Sequence, residues 1–276
     1  MNTDKWKRSE RVGALIEMLT TSPGKLFSLG QFSDFFNAAR STISEDLTLT
    51  RQVLRKIGRG HIETIAGPAG GVKYLPEVAE WRRTELLNRL REQLTNPERI
   101  LPGNYIYMTD CIYDPKVCNI LGEIFASYFY DNAPDAVVTV ETKGIPLAMA
   151  TAYYLNVPVI AARRDHLITE GTSVSINYVS GSSRSIQTMS LARRSLSPGK
   201  RILIIDDFMR AGGTIKGLKE LMSEFEATVV GVGVLLTTSS PTKKLINNYI
   251  SMLVLEDVDT VNNKIIMNVS PFCENN

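Results

Sequence analysis

Long hydrophobic runs and cysteine are both scarce in this sequence of 276 residues. No apolar run approaches the roughly 20 residues of a membrane-spanning helix. The first residues, MNTDKWKRSERVG, contain no apolar stretch of the kind found in secretory signal peptides. The three cysteines, Cys111, Cys118 and Cys273, match no Cys-x-x-Cys spacing. We therefore expect a reduced, cytoplasmic chain with no membrane partner, and cysteines that serve only in packing.

The composition is otherwise that of an ordinary globular protein, with 43% hydrophobic and 22% charged residues. A chain of this length accommodates one large or two modest domains. The charge is unevenly placed, because residues 1–75 hold 11 lysines and arginines against 7 acidic residues, while the whole chain has a net charge of only +2. A basic head on a near-neutral body indicates an anionic partner for the head.

The first 75 residues have the pattern of a small helical domain that ends in a hairpin. Apolar residues recur at helical spacing in residues 5–20, 28–38 and 42–57. Two short strands, 61–65 and 72–75, follow around a glycine-rich turn. This is the layout of a winged helix-turn-helix domain, whose third helix enters the DNA major groove. The residues predicted to face inward are Val12, Leu15, Ile16, Leu19, Leu29, Phe32, Phe35, Phe36, Ile43, Leu47, Val53, Leu54 and Ile57.

The candidate DNA contacts lie at the start of the third helix and on the hairpin, or wing. Arg40, Ser41, Thr42 and Ser44 supply a guanidinium and short polar donors that suit phosphates and base edges. Lys73 on the wing is a candidate phosphate contact. Ser41 also has the sequence context of a helix N-cap. The alternative is that Ser41 only caps the helix and Arg40 is an ordinary surface charge.

Beyond the head, the sequence predicts a connecting helix and then an α/β domain. Residues 76–100 contain a polar helix whose apolar face is Trp81, Leu86, Leu87, Leu90 and Leu94. From residue 101 strand and helix patterns alternate, which predicts a parallel sheet covered on both faces. We therefore expect a winged-helix domain at 1–75 and a second domain at 76–276. The predicted strands are 104–109, 135–140, 157–164, 200–207 and 228–238, and the predicted helices are 116–132, 145–156 and 211–225.

Three polar segments fall at the carboxyl ends of these strands, where open parallel sheets bind ligands. They are residues 141–144, 162–165 and 206–214. In the last of them, Gly212 and Gly213 allow backbone amides to converge on an anion at a helix N-terminus, and Thr214 adds a hydroxyl. The neighbouring Asp206 and Asp207 would repel a phosphate unless they hold hydroxyl groups or a Mg²⁺ ion. Phosphoribosyl pyrophosphate is one compact molecule that offers a phosphate, two adjacent hydroxyls and a group that chelates Mg²⁺.

The stretch ILIIDDFMRAGGT resembles the phosphoribosyl pyrophosphate signature of type I phosphoribosyltransferases, an apolar strand followed by two acids and a small-residue loop ending in threonine. Together with the winged head, STISED in the third helix and GPAGGVKYLP in the wing, the whole chain resembles the purine-operon repressors of Gram-positive bacteria. The fold class implied is an α/β chain, with an N-terminal winged helix-turn-helix followed by a type I phosphoribosyltransferase-like parallel-sheet domain.

The resemblance also implies roles for individual residues. Asp206 and Asp207 would hold the ribose hydroxyls, and Phe208 would stack on a purine base with Tyr105 as its partner. The remaining effector contacts implied are Met209, Arg210, Ala211, Gly212, Gly213 and Thr214 around the 5-phosphate, and Glu141, Thr142, Lys143 and Gly144 as the pyrophosphate loop. Lys143 has an alternative interpretation as a solvated turn lysine.

The function implied by the resemblance is repression of purine biosynthesis genes by a homodimer that binds double-stranded operator DNA. Phosphoribosyl pyrophosphate, accompanied by Mg²⁺, would be the inducer. Purine nucleotides, including guanosine tetraphosphate, could compete for the same pocket. We expect no tightly bound cofactor, no metal site in the protein and no catalytic residue.

Two other functions stay open at this point. A catalytically active purine phosphoribosyltransferase with an appended head is the main alternative, because residues 163–194 occupy the place of a mobile flap and Asp165, His166 and Glu170 are potential acids or bases. That segment has five arginines and no lysine, and its arginines could contact DNA or pyrophosphate. An RNA-binding attenuation regulator of the same fold is the second alternative, although such proteins usually lack a winged head.

Overall fold

The computed structural model describes residues 5–164, 171–179 and 185–274, and the structural statements that follow concern these residues. The helices are α1 (Arg8–Thr20), α2 (Leu29–Phe36), α3 (Arg40–Lys56), α4 (Glu80–Leu94), α5 (Thr109–Ile112), α6 (Pro115–Phe129), α7 (Gly144–Leu155), α8 (Gly213–Glu224) and α9 (Pro271–Glu274). The strands are β1 (Arg59–Ile65), β2 (Gly71–Val78), β3 (Ile100–Leu101), β4 (Tyr105–Ile106), β5 (Ala136–Val140), β6 (Val159–Ala162), β7 (Ser173–Val179), β8 (Ile186–Ala192), β9 (Arg201–Met209), β10 (Thr228–Thr238), β11 (Ile250–Asp259) and β12 (Lys264–Val269). Within these ranges no helix is both long and apolar enough to span a membrane.

The head has the predicted winged-helix architecture. Helices α1 to α3 enclose a core in which Leu15, Phe32 and Ile43 are fully buried, and the antiparallel hairpin β1–β2 closes it. Helix α2 begins where expected because Ser28 and Gln31 exchange hydrogen bonds in a capping box.

Several local predictions for the head were wrong. Helix α3 begins at Arg40 with Ala39 as its N-cap, so Ser41 lies inside the first turn and does not cap it. The buried face of α3 contains Ile43, Asp46, Leu47, Thr50 and Leu54, and Val53 at the edge of that face is exposed. The residues predicted as core that are instead exposed are Phe35, Val53 and Ile57.

The connecting helix is shorter than predicted, because β2 continues through Val78 and α4 starts at Glu80. The predicted boundary between residues 75 and 76 therefore falls inside a strand. Leucines 86, 87, 90 and 94 of α4 are buried as expected, while Trp81 is 57% exposed and lies against Gly58 instead.

The head is joined to the body by a buried carboxylate. Glu123 of α6 is fully buried and accepts hydrogen bonds from Tyr74 Oη of β2 at 3.0 Å, Arg59 Nε of β1 at 3.3 Å and Arg82 Nη1 of α4 at 3.4 Å. Arg59 also donates to the hydroxyl of Tyr154 in α7 at 2.8 Å. The wing is therefore held by hydrogen bonds to two helices of the body.

The body contains a six-stranded sheet in the order β12-β11-β10-β9-β5-β6, parallel except for the antiparallel edge strand β12. One core packs α4, α6 and α7 against one face, and a second packs α8 and the β7–β8 hairpin against the other. The predicted sheet covered on both faces is confirmed. Strands β11, β12, β7 and β8 were not predicted.

The predicted strand 104–109 does not join this sheet. The chain reverses through Gly103 and Asn104, which both have positive φ, and β4 pairs with β3 in a small separate hairpin. A sequence pattern of apolar residues cannot show which partner a short strand will find, because the pairing depends on the turn that precedes it.

Candidate functional site

A cavity of about 560 Å³ opens at the carboxyl ends of β5, β9 and β10, where the sequence predicts a ligand. Its lining residues are Asn104, Tyr105, Ile106, Met108, Val140, Glu141, Thr142, Lys143, Arg164, Asp206, Asp207, Phe208, Thr214, Leu236 and Leu255. A smaller cavity of about 40 Å³ adjoins it and is lined by residues 208–215. The structure therefore brings Tyr105, the 141–143 loop and the 206–214 segment together around one space.

The two aspartates lie inside β9, which runs two residues past the predicted strand end at Asp207. The strand continues because Phe208 and Met209 pair with β10. Asp206 is buried, and its Oδ1 accepts a hydrogen bond from the backbone amide of Asp207 at 3.0 Å. Burial and the neighbouring Asp207 carboxylate raise the pKa of Asp206 well above its ordinary value. Burial also raises the pKa of Asp207, against the lowering influence of Asp206 and of the Lys143 ammonium.

The loop after β9 has the features of an anion site. Gly212 adopts φ +87°, a left-handed conformation that favours glycine, and it forms the N-cap of α8. The first amides of α8 therefore lie at the positive end of the helix dipole, next to the Thr214 side chain. Met209 lines the smaller cavity as well, although its side chain is 2% exposed and packs mainly in the core.

The 141–144 loop reaches the cavity from the neighbouring strand. Its Glu141–Thr142 peptide bond is cis, and the Glu141 carboxylate accepts a hydrogen bond from the Arg164 backbone amide at 3.0 Å. Gly144 starts α7 so close to β9 that an added Cβ would collide with the Thr139 hydroxyl and approach Asp206 Oδ1. Close packing between α7 and β9 therefore requires glycine at position 144. Gly144 does not line the cavity.

Arg164 is a cavity residue that the sequence analysis did not assign to the site. It lies just after β6, lines the cavity, and its positive charge partly offsets the raised pKa of Asp206. The signal available in the sequence was the polar segment 162–165 at a strand end. Asp165, His166 and Glu170 lie outside the described residues.

Part of the cavity lining is apolar and aromatic. Phe208 is half-buried and Tyr105 is 46% exposed, and both line the space together with Ile106, Leu236 and Leu255. Flat apolar surfaces of this kind suit the face of a purine base. The apolar side chains other than Phe208 and Tyr105 were not predicted, because they come from separate strands and loops.

On the head, the predicted contacts at the start of α3 are accessible. Arg40, Ser41 and Ser44 are exposed and Thr42 is half-buried. A groove of about 430 Å³ runs between α2, α3 and the wing, and Arg40, Ser44 and Arg51 line it.

Lys73 on the wing has partners within the protein. Its Nζ pairs with a Glu63 carboxylate oxygen at 2.8 Å and lies over the ring of Tyr130 in the body, 5.5 Å from the centroid. The hydrogen bond to Glu63 raises the pKa of Lys73. In this arrangement the lysine connects the wing to the body, and its contact with a DNA phosphate stays a prediction.

Comparisons with known proteins agree with this two-part architecture. Residues 7–76 match the family described as "Bacterial purine repressor, N-terminal", and residues 109–267 match the family described as "Phosphoribosyl transferase domain". The purine biosynthesis transcriptional repressor PurR of Bacillus subtilis (strain 168) is 49% identical over 255 residues, which cover 92% of this chain and 90% of that protein. This chain belongs to the PurR family.

The PurR family includes proteins named for opposite effects on transcription. The purine biosynthesis transcriptional activator PurR of Lactococcus lactis subsp. lactis (strain IL1403) is 38% identical over 259 residues, covering 94% of this chain and 96% of that protein. Among solved structures, an adenine phosphoribosyltransferase from Saccharomyces cerevisiae superimposes with a TM-score of 0.53 at 15% identity, covering 61% of this chain and 98% of that one. At this identity the likeness shows the fold of the body alone.

Proposed function

We propose that this PurR family member represses purine biosynthesis genes, that it binds operator DNA through its winged head as a homodimer, and that phosphoribosyl pyrophosphate releases it. The observation that carries the proposal is the pair of adjoining cavities around which the acidic pair Asp206 and Asp207, a glycine-backed helix N-terminus and the 141–143 loop with its Lys143 are arranged. These three features match the hydroxyls, the phosphate and the pyrophosphate of that ligand. The winged head on the same chain would bind the DNA.

The charges of the site support a ligand that carries both anionic groups and hydroxyls. Asp206 and Asp207 would accept hydrogen bonds from the ribose hydroxyls, and Lys143 and Arg164 would face the pyrophosphate. The cavity therefore offers both cations for phosphate groups and carboxylates for hydroxyl groups, and the pKa values of Asp206 and Asp207 are raised by burial.

Mg²⁺ fits this site as a companion of the ligand. Within the described part of the chain no cluster of three or more potential ligands from His, Cys, Asp and Glu is found. The vicinal pair Asp206 and Asp207 is an incomplete site with carboxylate oxygens of the kind Mg²⁺ prefers, and pyrophosphate oxygens would complete it. The ion would supply positive charge that lowers the mutual repulsion of the carboxylates and the phosphates.

Purine nucleotides, including guanosine tetraphosphate, are proposed competitors for the same cavity. Phe208 and Tyr105 offer ring faces in the apolar part of its lining, and the phosphate loop would hold the phosphate that nucleotides share with phosphoribosyl pyrophosphate. A ligand that releases DNA must bind more weakly to the DNA complex, whereas one that favours repression must bind it more tightly.

The connection between cavity and head supports an effect of the ligand on DNA binding. Helix α7 begins at the pyrophosphate loop, and Tyr154 near its end accepts the hydrogen bond from Arg59 of the wing. A ligand that moves the 141–144 loop therefore acts on a helix that touches the wing directly.

The relative named as a transcriptional repressor supports a regulator over a transferase. The described residues of the cavity include the carboxylates Glu141, Asp206 and Asp207, and Asp165, His166 and Glu170 lie outside the described residues. Steady formation of a nucleoside monophosphate from any purine base and Mg²⁺-phosphoribosyl pyrophosphate would support the alternative of an active enzyme.

The proposal is tested by titrating a purine-promoter DNA fragment with the protein at fixed, stated salt, with and without Mg²⁺-phosphoribosyl pyrophosphate. A scrambled fragment measures the nonspecific affinity, which falls steeply with ionic strength. We expect specific binding by a dimer in sedimentation analysis and release by the effector. In the same host, deletion of the gene should raise expression of a reporter with this promoter. Binding that the effector leaves unchanged, or reporter expression that falls, would contradict the proposal.

A further inference from the structure

Lys244 lies directly behind the phosphate loop, in a segment that contributes no lining residue to either cavity. Its Nζ donates to the backbone oxygen of Arg210 at 2.5 Å, to the backbone oxygen of Thr238 at 2.6 Å and to the Thr238 hydroxyl at 3.2 Å. The next residue continues the contact, because the Leu245 amide donates to the backbone oxygen of Ala211 at 2.8 Å. The segment therefore fixes two consecutive carbonyls of the loop.

The packing of this segment also defines the shape of the cradle. Ile246 is buried, and a Cβ added to Gly212 would lie 3.1 Å from Ile246 Cγ1. The left-handed turn at Gly212 is thus packed against residues 244–246, and the same loop residues line the small cavity.

The ammonium group of Lys244 is half-buried and lacks a negative partner in the part of the chain described here. Its hydrogen bonds all go to carbonyl and hydroxyl oxygens. Burial lowers its pKa, and the positive charge of Arg210 lowers it further. The cations Arg210 and Lys244 therefore lie at the loop, and no carboxylate is bonded to Lys244 within the described residues. This arrangement is expected where an anionic ligand supplies the negative charge.

We propose that Lys244 is a positioning residue for the phosphate subsite, holding the Arg210–Gly212 backbone in its anion-binding conformation for the phosphate monoester of the effector. The inference rests on the proposed function, because it assigns a residue to the same cavity. The signature ILIIDDFMRAGGT is the segment expected to bind the phosphate. Lys244 lies about 30 residues after its end.

The test compares K244M with the matched control K243M, since Lys243 is the neighbouring lysine and is exposed. Isothermal titration with ribose 5-phosphate and, separately, with inorganic pyrophosphate measures the two ends of the ligand. We expect K244M to weaken ribose 5-phosphate binding by at least about tenfold, the effect of losing hydrogen bonds from a charged group. Pyrophosphate binding should be unchanged, K243M should match wild type for both ligands, and K244R should recover most of the affinity.

A second measurement uses the wild-type protein, so it does not depend on a variant that folds. In nuclear magnetic resonance of protein with labelled lysine side chains, ribose 5-phosphate should move the titration of Lys244 to higher pH and leave that of Lys243 in place. If wild type binds ribose 5-phosphate but K244M binds it equally well, or the Lys244 signal does not move, the assignment is wrong and the proposed function stands. If wild type does not bind ribose 5-phosphate, both are wrong.

Discussion

Replacing Glu123 by glutamine should weaken the contact between the head and the body without changing the DNA-binding surface or the cavity. The fully buried carboxylate accepts hydrogen bonds from Arg59, Tyr74 and Arg82, which belong to β1, β2 and α4. Glutamine has nearly the same shape, and it still accepts through its carbonyl oxygen. The change removes the negative charge and leaves two guanidinium groups next to a neutral amide.

The size of the effect follows from the exposure of the partners. Removing one partner of a buried ion pair costs about 3–5 kcal/mol of stability. The Arg59 and Arg82 side chains are 31% and 19% exposed, so water can solvate part of each charge after the substitution. We therefore expect a loss of about 2–3 kcal/mol, below the fully buried case. For a protein of this size each kcal/mol lowers Tm by about 2–4 °C, which predicts a fall of about 4–12 °C.

The assay is thermal unfolding, with Glu77→Gln as the matched control. Glu77 pairs with His61 at 2.6 Å, but its side chain is 62% exposed, so its loss should cost no more than about 0.5 kcal/mol. In a DNA-release assay, Glu123→Gln should bind phosphoribosyl pyrophosphate like wild type and show weaker coupling between that binding and DNA release. A variant as stable as Glu77→Gln, or one with wild-type coupling, would refute the role given to this carboxylate.

Three other predictions concern the two binding surfaces. Asp206→Asn combined with Asp207→Asn should abolish effector-induced release yet raise stability at pH 7 by about 0.5–2 kcal/mol, because ionising a group whose folded pKa is raised destabilises the fold. That gain should shrink as the pH falls through the raised folded pKa values and disappear only below the unfolded value of about 4, where the wild-type pair is protonated in both states. Effector affinity of wild type should weaken over the same range, and equal stability of variant and wild type at pH 7 would contradict the burial argument. Arg40→Ala should weaken operator binding and reduce the slope of log K against log salt by about 0.9, with effector affinity unchanged, whereas Arg89→Ala on the exposed side of α4 should alter neither. Phe208→Ala should weaken purine nucleotides by about tenfold or more and leave ribose 5-phosphate unaffected, and equal losses for both ligands in calorimetry would argue against stacking.

The elements that sequence reasoning predicted best are those defined by near neighbours in the chain. The three helices and the wing of the head follow from apolar spacing and turn residues, and the acid pair with its glycine loop follows from the order of residues 206–214. The N-cap prediction at Ser41 was a local error, because α3 starts at Arg40, two residues earlier than predicted. Contacts with distant segments could not be read from the sequence pattern, as with Lys73, which lies over the Tyr130 ring of the body.

The sequence by itself determined that a winged head is followed by a parallel α/β domain with a ligand loop at a strand end. It did so because hydrophobic periodicity and glycine conformation are properties of short stretches. Only the tertiary structure decided that Arg164 faces Asp206, that Lys244 lies behind the loop and that Glu123 holds the wing. The physical reason is that charge interactions and desolvation depend on distance and burial, which are set by packing between segments far apart in the chain.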